Sequence, residues 1–339
     1  MIPLGIWDNA TVLLTGGTGS FGCAFTAHAL RELPVRSLRV FSRDELKQAE
    51  LQAAHPGERR LSCLVGDVRD RERLALALRG VNLVVHAAAM KRIESCQYNP
   101  GEALQTNSLG AYLLVQAAIA AGVSRVVALS TDKAVNPVNC YGASKLLAEH
   151  LFCAGNHYAG AAGTRFACTR WGNVLGSRGS VVPLWLAQRA AGQPLTVTDP
   201  AMTRFWITLP QAVRFVVETM AWLRGGEVWV PAMVRCSMGN LAAVVGNDSP
   251  TVRIPRRPGE KRHEVVIAPE EADRTWRQPG RGDCYQIEPE VAWWEPEGRR
   301  PRLEGALVAG GLREHGLRSD DPPPASPAVL KALLQEATC

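Results

Sequence analysis

The sequence lacks features that would place it in several common classes of protein. Its 339 residues include nine cysteines, but no two of them form a Cys-x-x-Cys pair, so neither a zinc site nor a redox dithiol is indicated and we expect no metal. No apolar run approaches the roughly 18 residues that a membrane span needs. No signal peptide is recognisable, and we therefore expect a cytoplasmic protein with reduced cysteines and no membrane partner.

Concentrated charge is missing as well. The net charge of +6 comes from lysines and arginines spread along the chain, without the basic stripe interleaved with aromatics that is typical of nucleic-acid binding. Hydrophobic residues make up 46% of the chain, which is ordinary for a soluble globular protein, and its length is sufficient for two domains. We expect no nucleic-acid partner, whereas an anionic small molecule would explain part of the basic excess.

The first recognisable motif is a strand, a glycine-rich turn and a helix. Residues 10–15 form a short apolar run, and a helical stretch at 23–32 follows the turn. Glycine lets the backbone approach a pyrophosphate, and a helix N-terminus supplies free N–H groups, so the order predicts a dinucleotide-binding turn. The alternative is a glycine-rich turn without a ligand. The expected cofactor contacts are Gly16, Thr18, Gly19, Ser20, Phe21 and Gly22.

The end of the second strand, at 37–41, bears on which dinucleotide binds. Ser42 and Arg43 come first after the strand, and a hydroxyl next to a guanidinium suits the 2′-phosphate of NADP. The alternative is that Asp44 takes the ribose hydroxyls of NAD and that Arg43 is merely exposed. We expect NADP, with Lys47 as a further contact.

Two further strands, at 61–65 and 83–86, end in candidate cofactor residues. Asp67 is suited to accept a hydrogen bond from the adenine amino group, or to cap the helix at 71–78. The alanines at 87–89 leave room for the nicotinamide half, and Lys91 is placed to reach a phosphate or a sugar. The cofactor contacts expected from these segments are Asp67, Val68, Ala87, Ala88, Ala89 and Lys91, and the long helical run that follows contributes Asn107.

Residues 130–145 follow a fifth strand at 125–129, and ligands of open parallel sheets bind at such carboxyl ends. In a helix, Tyr141 and Lys145 lie on one face, and an ammonium beside a phenol lowers the pKa of the phenol. Tyr141 is therefore a candidate base. The spacing alone is weak, since an exposed amphipathic helix would also fit, but the dinucleotide turn upstream strengthens it.

Five strands that alternate with helices within about 150 residues predict an α/β fold, a Rossmann-like doubly wound parallel sheet with a smaller C-terminal lobe. We expect residues 1–170 to bind the cofactor, with 206–231 completing that domain. Residues 171–205 and 232–294 are expected to form the substrate-binding lobe. From 295 to 339 the chain is rich in proline, glycine and arginine, and we expect a peripheral or flexible tail.

Several motifs between about Ala10 and Ala292 carry a family resemblance. They are Thr-Gly-Gly-Thr-Gly-Ser-Phe-Gly from Thr15, Ser-Arg-Asp-Glu-Leu-Lys from Ser42, Gly-Asp-Val-Arg-Asp from Gly66, His-Ala-Ala-Ala-Met-Lys from His86, Ser-Thr-Asp-Lys-Ala-Val-Asn-Pro from Ser130, Tyr-Gly-Ala-Ser-Lys from Tyr141, Met-Thr-Arg-Phe-Trp-Ile-Thr from Met202 and Arg-Pro-Gly-Glu-Lys from Arg257. Together they resemble the extended short-chain dehydrogenase/reductases, and specifically the inverting UDP-N-acetylglucosamine 4,6-dehydratases.

The resemblance implies a mechanism. Tyr141, activated by Lys145, takes the proton of the sugar 4-hydroxyl while C4 passes hydride to a tightly bound NADP that is later regenerated. Lys133 removes the C5 proton, Asp132 protonates the departing 6-hydroxyl, and C5 is reprotonated on its opposite face. Lys133 must then be neutral at some point, and we expect burial and Lys145 to lower its pKa. Thr131 is expected to hydrogen-bond either the substrate or Tyr141.

The same resemblance implies the remaining contacts and a homo-oligomer, either a dimer or a hexamer. The UDP-sugar is expected to contact Lys91, Asn173, Arg178, Thr203, Arg257 and Glu260, and the cofactor also Val174. Retaining nucleotide-sugar dehydratases carry an acidic residue in place of Lys133, and UDP-sugar 4-epimerases lack the Asp-Lys pair. Both classes stay as alternatives, together with a non-enzymatic protein that has kept the dinucleotide fold.

Overall fold

A ten-stranded sheet organises the chain. The computed structural model describes residues 4–160, 163–247, 249–290, 306–307 and 312–338. The strands are β1 Thr11–Thr15, β2 Ser37–Ser42, β3 Leu61–Val65, β4 Leu83–His86, β5 Arg125–Thr131, β6 Arg165–Trp171, β7 Asn173–Val174, β8 Leu195–Val197, β9 Thr203–Ile207, β10 Val228–Val230, β11 Val234–Ser237, β12 Thr251–Arg253, β13 Val265–Ile267, β14 Thr275–Gln278, β15 Cys284–Ile287, β16 Ala306–Leu307 and β17 Leu317–Arg318.

Helices connect most of these strands. They are α1 Ser20–Glu32, α2 Glu45–Ala53, α3 Arg71–Ala77, α4 Ile93–Tyr98, α5 Pro100–Ala103, α6 Gly110–Ala120, α7 Cys140–Ala159, α8 Val181–Ala190, α9 Leu209–Trp222, α10 Met238–Gly246, α11 Leu312–His315 and α12 Pro327–Thr338, with a π-helical turn at Leu104–Leu109 between α5 and α6.

The centre of the sheet is parallel, in the order β3-β2-β1-β4-β5-β6-β10. The chain reverses its direction of travel across the sheet between β1 and β4, and the carboxyl ends of these strands open a crevice at that point. Apolar side chains cover both faces of the strands: Val12 and Leu14 pack on one face, and Leu13 packs on the other. The predicted Rossmann-like α/β fold is confirmed.

The sheet continues beyond β10 in a way that the sequence did not predict. Strands β15, β14 and β16 add to it antiparallel. Residues of 265–287, among them Val266 and Ile287, are buried in the core of the large domain. The expectation that all of 232–294 belongs to the smaller lobe is therefore wrong for this stretch.

The smaller lobe has its own core, built on the sheet β11-β9-β7 and on the pair β8-β12. Trp185 and Trp206 are fully buried there, and Leu330 and Leu333 of α12 pack into the same cluster. Gln211 and Arg214 of α9 also bond Glu336. A peripheral or flexible tail was thus a wrong prediction for residues 327–338, whereas 295–305 and 308–311 lie outside the described residues.

One buried arginine ties the C-terminal strands to the large domain. Arg170, at the end of β6, donates two hydrogen bonds to Glu149 of α7, at 2.7 and 3.0 Å, and two to Glu271, at 2.8 and 3.0 Å. Burial disfavours the charge of Glu271, but Arg170 outweighs it and lowers the pKa of that carboxyl. Arg170 therefore holds two buried carboxylates in place.

We expect Arg170→Met to destabilise the fold by about 3–5 kcal/mol at neutral pH, because it leaves buried carboxylates unpaired. Since the pKa of Glu271 is lowered in the folded chain, its contribution is present above the unfolded pKa of about 4.3 and is lost as the pH falls through the folded value. Urea unfolding at neutral and acidic pH measures both effects. Arg313→Met, which breaks an exposed pair with Asp273, is the control and should change little.

Candidate active site

A cavity of about 1210 Å³ opens at the carboxyl ends of the parallel strands, between the sheet and the smaller lobe. Of the predicted cofactor residues, it is lined by Gly16, Thr18, Gly19, Ser20, Phe21, Gly22, Ser42, Arg43, Asp44, Lys47, Asp67, Val68, Ala87, Ala88, Ala89, Lys91, Tyr141, Lys145 and Val174. Of the other predicted residues, it is lined by Thr131, Lys133, Asn173, Arg178, Arg257 and Glu260. The volume exceeds that of most single-ligand pockets and suits a dinucleotide together with a second ligand.

The glycine-rich turn fits a dinucleotide. Gly16 has φ +68°, and a Cβ there would lie 2.7 Å from the backbone nitrogen of Ala88. A Cβ on Gly22 would collide with the backbone of Gly17, so α1 can pack this closely on the turn only without one. The first turn of α1 thus faces the cavity with free N–H groups, as an anionic phosphate requires.

The end of β2 places an acidic and a basic side chain at the cavity wall. Asp44 caps α2 by accepting a hydrogen bond from the backbone N–H of Lys47, and it pairs with the side chain of Lys47 at 2.5 Å. Its carboxylate is therefore already engaged. Arg43 is exposed at the cavity wall, and its guanidinium lies 3.7 Å from Asp67.

Two predicted cofactor residues have other partners. Asp67 does not cap α3, because Asp70 does so by accepting from the backbone N–H of Arg73. Asp67 instead pairs with Arg69 at 2.7 Å while still lining the cavity. Its suggested role as a helix cap is therefore wrong, and its contact with adenine stays a prediction.

Asn107 is not among the residues that line the cavity. It is buried in the π-helical turn, accepts a hydrogen bond from the N–H of Met90 and donates to the Met90 carbonyl and to Ser144. Its neighbour Thr106 lines the cavity instead. Direct contact of Asn107 with the cofactor is not supported, because its amide fixes the loop after β4 and so positions Lys91 next to it.

Lys133 reaches the cavity from a short 3₁₀ turn after β5. Its Nζ donates to Asp132 Oδ1 at 2.9 Å and to Asn173 Oδ1 at 3.3 Å, and it lies 3.6 Å from Glu264. Burial disfavours the ammonium, but the two carboxylates outweigh burial and raise the pKa of Lys133. The expected lowering by burial and Lys145 is therefore wrong, because the sequence did not indicate the second carboxylate.

Asp132 is fully buried behind Lys133 and does not itself line the cavity. Its Oδ1 also accepts a hydrogen bond from Thr131 at 3.0 Å, while Oδ2 accepts none within the described chain. Asp132 is thus placed to exchange a proton with Lys133.

Tyr141 and Lys145 line the cavity from the first turns of α7, as predicted. Burial raises the pKa of Tyr141 to about 12, although Lys133 and a hydrogen bond with Thr131 act in the opposite direction. Lys145 Nζ donates to the Leu129 carbonyl at 2.6 Å, and burial lowers the pKa of Lys145. The expectation that Lys145 lowers the pKa of Tyr141 does not hold in this arrangement, where Lys133 is the larger influence.

The part of the cavity wall where a UDP-sugar was predicted to bind is lined by charged residues. Arg257 pairs with Glu94 of α4 at 3.2 Å, and Arg178 sits on the phosphate turn, where its N–H donates to Ser20 Oγ at 3.0 Å. The carbonyl of Arg178 accepts from Lys91 at 3.3 Å. These contacts bring groups from the large domain and the smaller lobe to the same wall.

Thr203 of β9 was predicted to contact the UDP-sugar, but it does not line the cavity. Its hydroxyl bonds His263 at 2.8 Å and Ser319 at 2.6 Å, away from the cavity. Arg204 lines the cavity instead, nearly buried, and lies 3.4 Å from Glu260. Successive side chains of a strand point to opposite faces. A prediction that is off by one residue therefore names a side chain on the face away from the cavity.

Besides Arg204, two further residues at this site, Glu264 and Ser130, were not predicted from the sequence. Glu264 stands shortly after the Arg-Pro-Gly-Glu-Lys motif, in a His-Glu dipeptide, and this proximity to a recognised motif was the signal that the sequence offered. Ser130 lines the cavity, and its buried hydroxyl has no hydrogen-bond partner within the described part of the chain. An orphaned polar atom at this wall is consistent with a polar ligand.

The described residues hold neither a candidate metal site nor a helix able to span a membrane. Among residues 4–160, 163–247, 249–290 and 312–338, no cluster of histidine, cysteine, aspartate and glutamate is arranged to hold a metal ion. In the same portion of the chain, no helix combines the length and apolarity needed to cross a bilayer.

The switch-point crevice, the phosphate turn at the start of α1 and the Tyr141–Lys145 pair together define an extended short-chain dehydrogenase/reductase with a nicotinamide-dinucleotide site. Within that class, the chain belongs to the polysaccharide biosynthesis protein family, whose model matches residues 12–281.

Individual relatives agree with this assignment. A UDP-N-acetylglucosamine 4,6-dehydratase (inverting) of Campylobacter jejuni is 42% identical over 287 residues, which cover 84% of this chain and 85% of that protein. The resemblance inferred from the motifs is thereby confirmed. The crystal structure of Pen from Bacillus thuringiensis is 34% identical, with a TM-score of 0.85 over 97% of this chain and 98% of that one. A dTDP-glucose 4,6-dehydratase of Streptomyces venezuelae, solved with NAD bound, is 25% identical, with a TM-score of 0.66 over 74% of this chain and 86% of that one.

Proposed function

We propose that this protein is an NADP-dependent UDP-N-acetylglucosamine 4,6-dehydratase that inverts C5 and yields UDP-2-acetamido-2,6-dideoxy-β-L-arabino-hex-4-ulose. The observation that carries the proposal is the Asp132–Lys133 pair, joined at 2.9 Å with the amine of Lys133 at the cavity wall beside Tyr141. An amine placed there serves the inverting reaction, and the curated relative of that activity supports the choice of substrate.

The Asp132–Lys133 pair can supply both the base and the acid that the elimination needs. Transfer of one proton across the 2.9 Å hydrogen bond, from Lys133 Nζ to Asp132 Oδ1, makes a neutral amine and a carboxylic acid together. The amine then accepts the C5 proton. Asp132 does not reach the cavity itself, so the acid supplies its proton to the departing 6-hydroxyl by way of Thr131, which lines the cavity and whose hydroxyl lies 3.0 Å from Asp132 Oδ1. The raised pKa of Lys133 is compatible with this role, because the proton stays within the pair and is not released to solvent.

Tyr141 is placed to take the proton of the sugar 4-hydroxyl. A bound nicotinamide dinucleotide supplies the reversible oxidation at C4, which makes the C5 proton acidic. Gly142, next in the chain, packs on the turn of Lys133 so closely that a Cβ would collide with the Lys133 carbonyl oxygen. The 4-hydroxyl base and the C5 base are therefore held at a fixed spacing, as two steps on neighbouring carbons require.

NADP is the dinucleotide we propose, because Arg43 is exposed at the end of β2 while Asp44 is engaged by Lys47. We expect Arg43→Ala to weaken NADP binding about 10- to 100-fold and to leave NAD binding within about twofold, because a charge-assisted bond of ~1.5–3 kcal/mol to the 2′-phosphate is lost. Calorimetric titration with each dinucleotide measures the ratio. Arg59→Ala removes an exposed arginine elsewhere and should change neither value; equal losses for both dinucleotides in Arg43→Ala would contradict the assignment.

The reaction itself is tested by incubating the purified protein with UDP-N-acetylglucosamine and no added nicotinamide cofactor. A loss of water in the mass spectrum is expected, because the bound cofactor is regenerated in each turnover. NMR spectra of the product made in deuterated water separate the alternatives. Inversion leaves deuterium at C5 in the opposite configuration, a retaining dehydratase keeps the original configuration, and a 4-epimerase loses no water.

We also propose that the chain works as a homo-oligomer, a dimer or a hexamer. Apolar side chains on neighbouring helices support this proposal, since Tyr98 is 90% exposed and Leu104 and Leu147 are about half exposed. Light scattering during size-exclusion chromatography tests it, and a monomer at micromolar concentration would refute it.

A further inference from the structure

Glu264 is a buried carboxylate beside the candidate catalytic pair. It is 2% exposed and does not line the cavity. Its Oε1 lies 3.6 Å from Lys133 Nζ, and its Oε2 lies 3.7 Å from Lys261 Nζ without accepting a hydrogen bond within the described chain. A carboxylate is rarely buried unless cations compensate for its lost hydration, so its placement behind Lys133 has to be explained.

The backbone of Glu264 is held by Ser319, which directly follows β17. The N–H of Glu264 donates to Ser319 Oγ at 2.9 Å, and the N–H of Ser319 donates to the Glu264 carbonyl at 2.9 Å. The next residues pair as β13 and β17. Because the backbone is held on that side, the carboxyl group keeps its direction towards Lys133.

Three cations and one acid face this carboxylate from the neighbouring elements. The 3₁₀ turn after β5 contributes Asp132 and Lys133, β9 contributes Arg204, and the loop before β13 contributes Lys261. One step further away, Glu260 pairs with Arg204, and Tyr141 of α7 lies close enough to Lys133 for that ammonium to act against the rise of the Tyr141 pKa.

We infer that Glu264 is a positioning residue for Lys133: it is a second carboxylate that directs the amine towards C5 and stabilises the ammonium formed when the C5 proton is removed. The inference rests on the proposed dehydratase function. In that step the C5–H bond breaks and an Nζ–H bond forms on Lys133, while the C6–O bond breaks and the oxygen leaves as water with a proton from Asp132. The result is an ammonium between two carboxylates, which is the arrangement seen around Lys133.

The direction of the electrostatic effect follows from the charges. The carboxylates of Asp132 and Glu264 raise the pKa of Lys133 against the effect of burial. Glu264→Gln keeps the size of the side chain but removes its charge, so it lowers the pKa of Lys133. The pair then loses its shared proton at lower pH, and the alkaline limb of the rate profile moves to lower pH.

The test compares the wild-type enzyme with Glu264→Gln and with Glu271→Gln, which alters a buried carboxylate that pairs with Arg170 instead. In Glu264→Gln we expect kcat to fall about 100-fold, as for a misplaced catalytic group, with KM within about twofold because Glu264 does not line the cavity. The isotope effect on kcat with C5-deuterated substrate should rise, because C5–H cleavage becomes more rate-limiting. Glu271→Gln should lower stability while leaving the isotope effect and the pH profile as in the wild type.

Ser319→Ala provides a second route to the same measurements. It removes the acceptor of the Glu264 N–H without changing any charge, so we expect a smaller rise in the isotope effect and no shift of the alkaline limb; this variant also serves if Glu264→Gln does not fold.

An unchanged isotope effect in both variants would overturn the role of Glu264 even if kcat fell. A wild-type protein that dehydrates no UDP-sugar would overturn the proposed function, and this inference with it, whereas an active wild type with unaltered variants would overturn the inference alone.

Discussion

Replacing Lys133 by methionine is expected to lower kcat for dehydration by about 10²–10⁴-fold, the usual contribution of a positioned general base. Methionine fills a similar volume but cannot accept the C5 proton, and Asp132 would lose the partner with which it shares a proton at 2.9 Å. Dinucleotide binding should change little, because the phosphate turn and the end of β2 are untouched. Timed assays with mass detection, together with calorimetric titration of the dinucleotide, measure both quantities.

Lys261→Met is the matched control for Lys133→Met. Lys261 is also nearly buried and lies near the same carboxylate, but its Nζ donates to the Val135 carbonyl and it does not line the cavity. We expect it to cost less than tenfold in kcat, since it is not a proton acceptor in the reaction. If Lys133→Met retained more than a tenth of the activity, or if both variants lost equal amounts, Lys133 would not be the C5 base.

Tyr141→Phe should produce the second large loss, about 10²–10⁴-fold in kcat, because it removes the group that takes the proton of the 4-hydroxyl. Burial raises the pKa of Tyr141 to about 12, so the phenol carries its proton at neutral pH. The phenol must therefore lose its own proton before it can accept that of the 4-hydroxyl, and a cationic nicotinamide bound nearby would favour this by making the phenol more acidic.

The pH dependence tests whether Tyr141 acts as a base in its deprotonated form. A group whose pKa is raised is active as a base only as the pH increases, so the wild-type rate should rise with pH on the acid side, and Tyr141→Phe should lose that rise. Tyr158→Phe, a change at a half-exposed tyrosine on the same helix, should leave rate and profile unaltered. An identical acid limb in wild type and Tyr141→Phe would show that another group governs it.

Much of this site could be predicted because it lies at strand ends. Parallel strands bring their carboxyl ends to one edge, so a glycine-rich turn after β1 and the Tyr141–Lys145 spacing after β5 had to face the same crevice. Asp132 and Lys133 immediately follow β5, so their position was fixed by the same rule.

The contacts that sequence could not predict depend on the register and on distant chain segments. Thr203 and Arg204 differ by one position, and only pairing with β7 and β11 determines which of them faces the cavity. Glu264 is more than 130 residues away from Lys133 in the chain, and no local pattern indicates that the two meet. The direction of the Lys133 pKa shift was mispredicted for the same reason.

The position of α12 has a consequence for synthesis on the ribosome. The first six parallel strands are complete once residue 171 has emerged, whereas the core of the smaller lobe needs Leu330 and Leu333 before it closes around Trp185. Nascent domains generally fold from the N-terminus onwards. The growing chain is therefore able to assemble the half that carries the glycine-rich turn well before the smaller lobe is finished.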